Sequence, residues 1–313
     1  MGRPTLVTGA AGFAGSHLVD QLAADRVQTI AWHRPGGQPP RDVDGVQWRA
    51  VDLLDAQAVR DGVAAARPSV VYHCAGAAHV GQSWTTVTET LRLNVLCTHR
   101  LVEALRAVAP DAKLLITSSA LVYGASPGAI DEGQPVAPSN PYGLSKVAQE
   151  MVGTCSGGYG NAFIALPFNH FGPRQASSFV AAAFARQIAE IEAGLIAPEI
   201  HVGNLDARRD LTDVRDTVRA YRLIVERGVP HRPYNICSGR TVAVQELLDT
   251  LLSRARVAIR VVEDPARFRP NDTPIVLGNP ARARRELGWD AEIPLTQTAD
   301  DLMEYWRSRV RRT

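Results

Sequence analysis

The first half of the chain alternates short apolar runs with longer stretches whose apolar residues recur at helical spacing. Residues 5–8 read as a strand and 14–22 as the helix after it. Residues 27–32 and 45–51 predict strands two and three, with a helix over 56–66. Strand four falls at 69–74, a long amphipathic helix at 86–108 and strand five at 113–118. A further helix opens at Pro141, and 161–166 completes the set as strand six. Strands that alternate with helices in this way form a parallel sheet with helices on both faces, a doubly wound α/β architecture of the Rossmann type.

Beyond Pro167 the pattern changes. A helix is expected over 179–195, with Phe184, Ile188 and Ile191 on one stripe, followed by helices at 213–227 and 244–254. Residues 256–262 read as a strand, and 234–237 as a short strand that rejoins the main sheet. The expected division is therefore a dinucleotide-binding domain over 1–167, rejoined by about 211–237. Residues 168–313 form mainly a smaller α+β substrate-binding lid over the carboxyl edge of the sheet, where ligands of such folds bind.

The first turn carries the strongest chemical signal. Gly9, Gly12 and Gly15 follow the first strand and open the first helix. Gly9 permits the sharp exit, Gly12 lets backbone N–H groups approach a pyrophosphate, and Gly15 lets helix and strand pack closely. The helix N-terminus adds unpaired N–H groups and a positive dipole end. That is a dinucleotide site.

Composition excludes more than it assigns. A net charge of +2 favours neither nucleic acid nor a membrane surface, and no apolar run reaches the length of a membrane span. Cys74, Cys97, Cys155 and Cys237 are isolated, without zinc-ligand spacing, and no metal is expected. With a first strand beginning at residue 5, a cytoplasmic enzyme with reduced cysteines is the expectation. Of 34 lysine and arginine residues only Lys113 and Lys146 are lysine. A lysine in an arginine-biased chain stands out, because arginine cannot serve as a tunable ammonium.

Lys146 lies four residues after Tyr142, on a helix that Asn140 would cap and Pro141 would begin. Side chains at this spacing meet on one face. A nearby ammonium and a helix N-terminus both favour phenolate, so the phenol pKa is expected to fall and Tyr142 to serve as acid/base in a carbonyl–alcohol interconversion. At the end of strand five, Thr117, Ser118 and Ser119 bring hydroxyls to the same edge. A serine there either holds a reacting oxygen or simply satisfies the loop backbone.

These motifs, with the Ser118–Ser119–Ala120 string running to Tyr123–Gly124, resemble the extended short-chain dehydrogenase/reductases, which are nucleotide-sugar epimerases, dehydratases and reductases. The resemblance runs nearly end to end. It includes the strings at 167–173, 202–206 and 209–216, and Arg269–Pro270 with Asp272. Within the family these strings are most similar to the branch that reduces GDP-4-keto-6-deoxy-D-mannose. The resemblance implies Ser119, Tyr142 and Lys146 as the catalytic set, and a GDP-sugar substrate held by Ser83, Ser119, Asn169, Arg209 and Arg269. It implies a cofactor held by Gly9, Gly12, Phe13, Gly15, Arg34, Asp52, Leu53, Ala75, Ala77, Tyr142 and Lys146. Relatives commonly carry arginine where this chain has Leu166.

Dehydratase relatives carry an acidic pair after the serine, where this chain has Ala120 and Leu121. Epimerase/reductases carry a cysteine and a histidine where it has Leu121 and Arg174. A single redox step is what remains. At the end of strand two, where an acidic residue would accept the ribose 2′-OH of NAD, the chain offers Trp32, His33 and Arg34, which favours NADP, with NAD as the alternative. The implied reaction is NADP(H)-dependent reduction of the C4 ketone of GDP-4-keto-6-deoxy-D-mannose to GDP-D-rhamnose. The alternatives are an NAD-dependent nucleotide-sugar 4-epimerase with tightly held cofactor, and a redox-sensing dinucleotide-binding protein without catalysis. A homodimer is expected through the 86–108 and 142–152 helices, the second kept short by Gly153, Gly157 and Gly158.

Overall fold

The protein, seen in a computed structural model that describes residues 2–37, 42–155, 159–267 and 273–310, begins with β1 (Thr5–Thr8), α1 (Phe13–Ala24), β2 (Thr29–His33) and β3 (Val46–Ala50). Next come α2 (Ala56–Ala66), β4 (Val70–His73) and two short helical turns, α3 (Val80–Ser83) and α4 (Val87–Leu91). A π-helical turn, Arg92–Leu96, joins α4 to α5 (Cys97–Val108), and β5 (Lys113–Thr117), α6 (Pro141–Thr154) and β6 (Ala162–Pro167) follow. The remainder comprises β7 (Asn169–Phe171), α7 (Val180–Glu192), β8 (Glu199–Val202), β9 (Arg208–Asp213), α8 (Val214–Arg227) and β10 (Pro233–Ile236). It closes with β11 (Thr241–Ala243), α9 (Val244–Leu252), β12 (Arg260–Glu263), β13 (Ile275–Val276) and α10 (Leu295–Val310).

Seven strands form one parallel sheet in the order β3-β2-β1-β4-β5-β6-β10. It is the doubly wound arrangement expected, with the strand at 233–236 added beside β6. Because the sheet is covered on both faces, every residue of β1 is buried. Successive side chains alternate, so Leu6 enters the core beneath α2 and α5 while Val7 enters the core beneath α1 and α8. A third core, around Phe171, Phe184, Ile188, Leu248 and Met303, lies among α7, α9 and α10. Smaller sheets accompany it: β9 pairs with β7, β11 and β13, and β12 pairs with β8.

Local chemistry sets the helix starts. Asp55 accepts from the Gln57 and Ala58 N–H groups to cap α2, Asp213 caps α8, and Asn140 accepts from Gly143 N at 2.8 Å to cap α6 ahead of Pro141. Several boundaries depart from the sequence pattern. The helix expected at 179–195 stops at Glu192, just before Gly194 takes a positive φ of 71°. The strand expected at 256–262 forms only at Arg260–Glu263, where β8 supplies a partner. The second bundle helix, α6, is 14 residues long and ends at Thr154, one residue past Gly153. A Cβ at Gly153 would lie 2.4 Å from Ile116 Cδ1, so this glycine allows close packing on β5. Gly157 and Gly158 lie outside the described residues. No described helix is long and apolar enough to cross a membrane.

Candidate active site

Parallel pairing brings every strand exit to one edge. Thr8 is level with Trp32 and His73, Trp32 with Arg49, and Thr117 with Ala165. Residues following each strand therefore line a common rim. The order of connections reverses between β1 and β4, and there Gly9 approaches Ala75 so closely that a Cβ would sit 2.6 Å from Ala75 N. Gly9 also adopts φ 65°, a left-handed conformation suited to glycine. A Cβ on Gly15 would meet the Gly9 carbonyl oxygen at 2.2 Å, so glycine alone permits this helix–strand contact. Helix α1 starts after Gly12 with no side-chain cap and no acidic residue in its first turn. Its leading N–H groups and positive dipole end suit a pyrophosphate, so the turn fits a dinucleotide.

Other expected cofactor contacts lie along the same rim. Arg34 is exposed just past β2, while Trp32 is fully buried against Gly62. Asp52 and Leu53 follow the edge strand β3; Asp52 accepts from Leu54 N at 2.8 Å, and Leu53 packs on the core. Ala75 and Ala77 flank Gly76 beyond β4. Ala77 N donates to Asn94 Oδ1 at 2.7 Å, and Asn94 Nδ2 donates in turn to Ala77 O and, at 2.8 Å, to Ser145 Oγ. Asn94, wholly buried in the π-helical turn, thus joins this loop to α6. No motif marks Asn94, and its one signal in the sequence is a polar residue on the buried face of an amphipathic stretch.

Ser119, Tyr142 and Lys146 come together at the ends of β5 and α6. Ser119 and Tyr142 are neighbours, and the Lys146 ammonium lies 5.7 Å from the centre of the Tyr142 ring. Lys146 Nζ donates to Thr117 O and to Gln149 Oε1, each at 2.9 Å. The expected fall in the phenol pKa is not what this environment produces. Burial pushes Tyr142 up to about 12, with the neighbouring Ser119 hydroxyl only partly opposing it. Burial also pushes Lys146 down to about 8, against the pull of Cys74 and Glu150. Ser118, next to Ser119, donates to the Glu150 carboxylate, and burial raises that group to about 7.

The remaining expected residues separate into several settings. Ser83 is fully buried in α3, where its hydroxyl donates to Val80 O at 2.7 Å. Asn169 is exposed at the start of β7, two residues past the end of β6. Arg209 lies on β9 and donates to Arg208 O at 2.9 Å. Arg269 lies outside the described residues. Leu166 is buried within β6 beside Asn235 of β10. Ala120 and Leu121 form a 3₁₀ turn directly behind Ser119 and offer no titratable group. Arg174 is committed to α1: it pairs with Asp20 at 2.6 Å and donates to His17 Nδ1 at 2.6 Å. His17 Nε2 donates to Pro173 O at 2.8 Å, and burial beside the Arg174 charge lowers this imidazole to about 4. His170 of β7 stacks on Phe13 with centroids 5.6 Å apart, which fixes the start of the 168–313 segment against the glycine turn.

A glycine turn at the topological switch point, with serine, tyrosine and lysine converging on the same edge, defines the short-chain dehydrogenase/reductase class. The GDP-mannose 4,6 dehydratase family model matches residues 6–302, and the chain belongs to that family. It is similar to GDP-6-deoxy-D-mannose reductase of Pseudomonas aeruginosa, with 37% identity across 97% of each chain. A solved structure of RMD from Pseudomonas aeruginosa complexed with NADPH superposes with a TM-score of 0.85 at 33% identity, covering 98% of this chain and all of that one. UDP-glucose 4-epimerase from Thermotoga maritima, solved with UDP-glucose, has a TM-score of 0.87 at 25% identity, with 98% and 99% of the two chains covered.

Proposed function

We propose that the protein reduces the C4 ketone of GDP-4-keto-6-deoxy-D-mannose to the alcohol of GDP-D-rhamnose. The observation that carries this reading is the convergence of Ser119, Tyr142 and Lys146 beside the glycine turn. The similarity to a GDP-6-deoxy-D-mannose reductase supports the choice of substrate. Gly9, Gly12, Phe13 and Gly15 would hold the dinucleotide phosphates, Ala75 and Ala77 its middle, Asp52 and Leu53 its adenine, and Arg34 a 2′-phosphate. When bound, NADPH supplies the hydride for C4.

The protein's own groups manage the oxygen. Ser119 donates a hydrogen bond to the ketone and orients it. Tyr142, protonated at neutral pH with its pKa near 12, gives its proton to that oxygen as negative charge develops there. A buried phenol suits a reductase, which needs a donor more than a base. Lys146 holds the cofactor ribose and sets a positive charge beside the phenol. Asn169, Arg209 and Arg269 bind the sugar nucleotide's diphosphate, where arginines make paired contacts. The absence of acid/base groups at Ala120 and Leu121 supports reduction without dehydration. In this reading the segment 168–313 serves mainly as the substrate lid, and the enzyme works in the cytoplasm. It is a homodimer, paired over the apolar groove formed by Leu91, Val95, Leu96 and Val152.

The test is loss of NADPH absorbance when the purified protein meets GDP-4-keto-6-deoxy-D-mannose generated in situ by a separate dehydratase. Stoichiometric consumption is expected. No consumption with NADPH or NADH would overturn the reductase reading and direct attention to retained NAD and 4-epimerase substrates.

A further inference from the structure

Lys146 is fixed by a buried chain of hydrogen bonds that crosses the sheet. Its Nζ donates to Gln149 Oε1, and Gln149 Nε2 donates to Thr98 Oγ1 at 2.9 Å. Thr98 Oγ1 itself donates to Asn94 O at 2.7 Å, so it can only accept from its other neighbours. His73 Nε2, 2.8 Å from Thr98 Oγ1, therefore carries the imidazole proton, and His73 Nδ1 accepts from Thr8 Oγ1 at 2.7 Å. Gln149, Thr98, His73 and Thr8 have no exposed surface. The lysine, which can only donate, sets the Gln149 amide, and the Thr98 hydroxyl bonded to Asn94 O sets the imidazole beyond it. The chain ends on the last residue of β1, next to Gly9.

We propose that Gln149 is a positioning residue for Lys146. Its carboxamide holds the ammonium in place and, through Thr98 and His73, ties the lysine to the strand that carries the dinucleotide turn. A glutamine at this place matches both needs at once: its carbonyl faces a cation and its amide faces a hydroxyl. Without it the buried ammonium would keep Thr117 O but lose its side-chain acceptor, and would give up its proton more readily. The titratable groups that face the ammonium are Tyr142 and Glu150 from α6 and His73 and Cys74 from the end of β4. His73 is held neutral by burial; Cys74 and Glu150 oppose the lowering of the ammonium, and the oxygens that touch it are Thr117 O and Gln149 Oε1.

The chain's composition makes the test direct. With lysine labelled at its ε-carbon, only Lys113 and Lys146 give NMR signals, and Lys113→Arg assigns them. Gln149→Leu removes the acceptor and should lower the Lys146 midpoint by about one pH unit, whereas Gln149→Glu adds a facing negative charge and should raise it by about as much. Thr98→Val frees the Gln149 amide and should shift the midpoint in the same direction as Gln149→Leu, by less, and it serves if the leucine variant does not fold. Opposite shifts for the two Gln149 variants are the expected result, because a merely structural role would move both alike. Midpoints that stay at the wild-type value, or that move the same way in both variants, would overturn the proposal. The assignment of Lys146 to the reaction rests on the proposed function, but the titration needs no substrate. Inactivity on the keto-sugar would sink that function and leave this outcome standing.

Discussion

Burial acts oppositely on Tyr142 and Lys146: it raises the phenol and lowers the ammonium, so each is shifted toward its neutral form, and the lysine, at about 8, still carries its charge at neutral pH. Replacing Tyr142 by Phe keeps the ring and removes the hydroxyl that gives the proton. Turnover should fall by roughly 10²–10⁴-fold, while NADPH binding, followed by fluorescence titration, stays close to wild type. Glu150 gives a stability prediction. Its folded-state pKa, about 7, lies above its ordinary 4.5, so the folded chain prefers the protonated carboxyl. That contribution is complete below pH 4.5 and disappears as pH rises through about 7. The melting temperature of Glu150→Gln relative to wild type should therefore be higher at pH 8 than at pH 5. A difference independent of pH would remove Glu150 as a titrating buried group.

At the scale of elements, glycine decides how closely helices and strands approach. Gly15 sets α1 against the Gly9 carbonyl, and the backbone oxygen a Cβ would meet there cannot swing aside. Gly15→Ala should cost about 1–3 kcal/mol of stability by overpacking and displace the α1 N-terminus, so dinucleotide affinity should drop along with the thermal midpoint. Unchanged affinity would show that the turn tolerates the shift. The glycines were legible as a motif because Gly9, Gly12 and Gly15 stand between a strand and a helix. Gly153 does more than lie near the helix end: it fits against Ile116, a contact that a helical pattern does not record. Nor could periodicity reveal the π-helical turn, whose extra residue per turn aims Asn94 inward toward Ala77 and Ser145.

At the scale of the molecule, two kinds of contact matter. Phe13–His170 stacking, His17 with Pro173 and Arg174 with Asp20 join α1 to the segment that follows β6. Val87, Leu144 and Met151 are exposed on the α4 and α6 side, beside the groove lined by Leu91, Val95 and Leu96. If this face pairs two copies, Leu96→Glu should yield monomers in sedimentation velocity experiments at concentrations where wild type is dimeric. A wild-type monomer, or a variant that still dimerises, would place any interface elsewhere. The sequence by itself determined the parallel sheet, because strand-length apolar runs alternating with amphipathic helices pack in few other ways. It determined the chemical types at the carboxyl edge as well, since the glycine turn and the Tyr142–Lys146 spacing are local properties. Tertiary structure alone decided the protonation preferences and the internal wiring. Burial raised the Tyr142 phenol where the Tyr142–Lys146 spacing alone led to the expectation of a fall. Thr8, His73, Thr98 and Gln149 meet only after β1, β4, α5 and α6 have packed, and no spacing along the chain records that meeting.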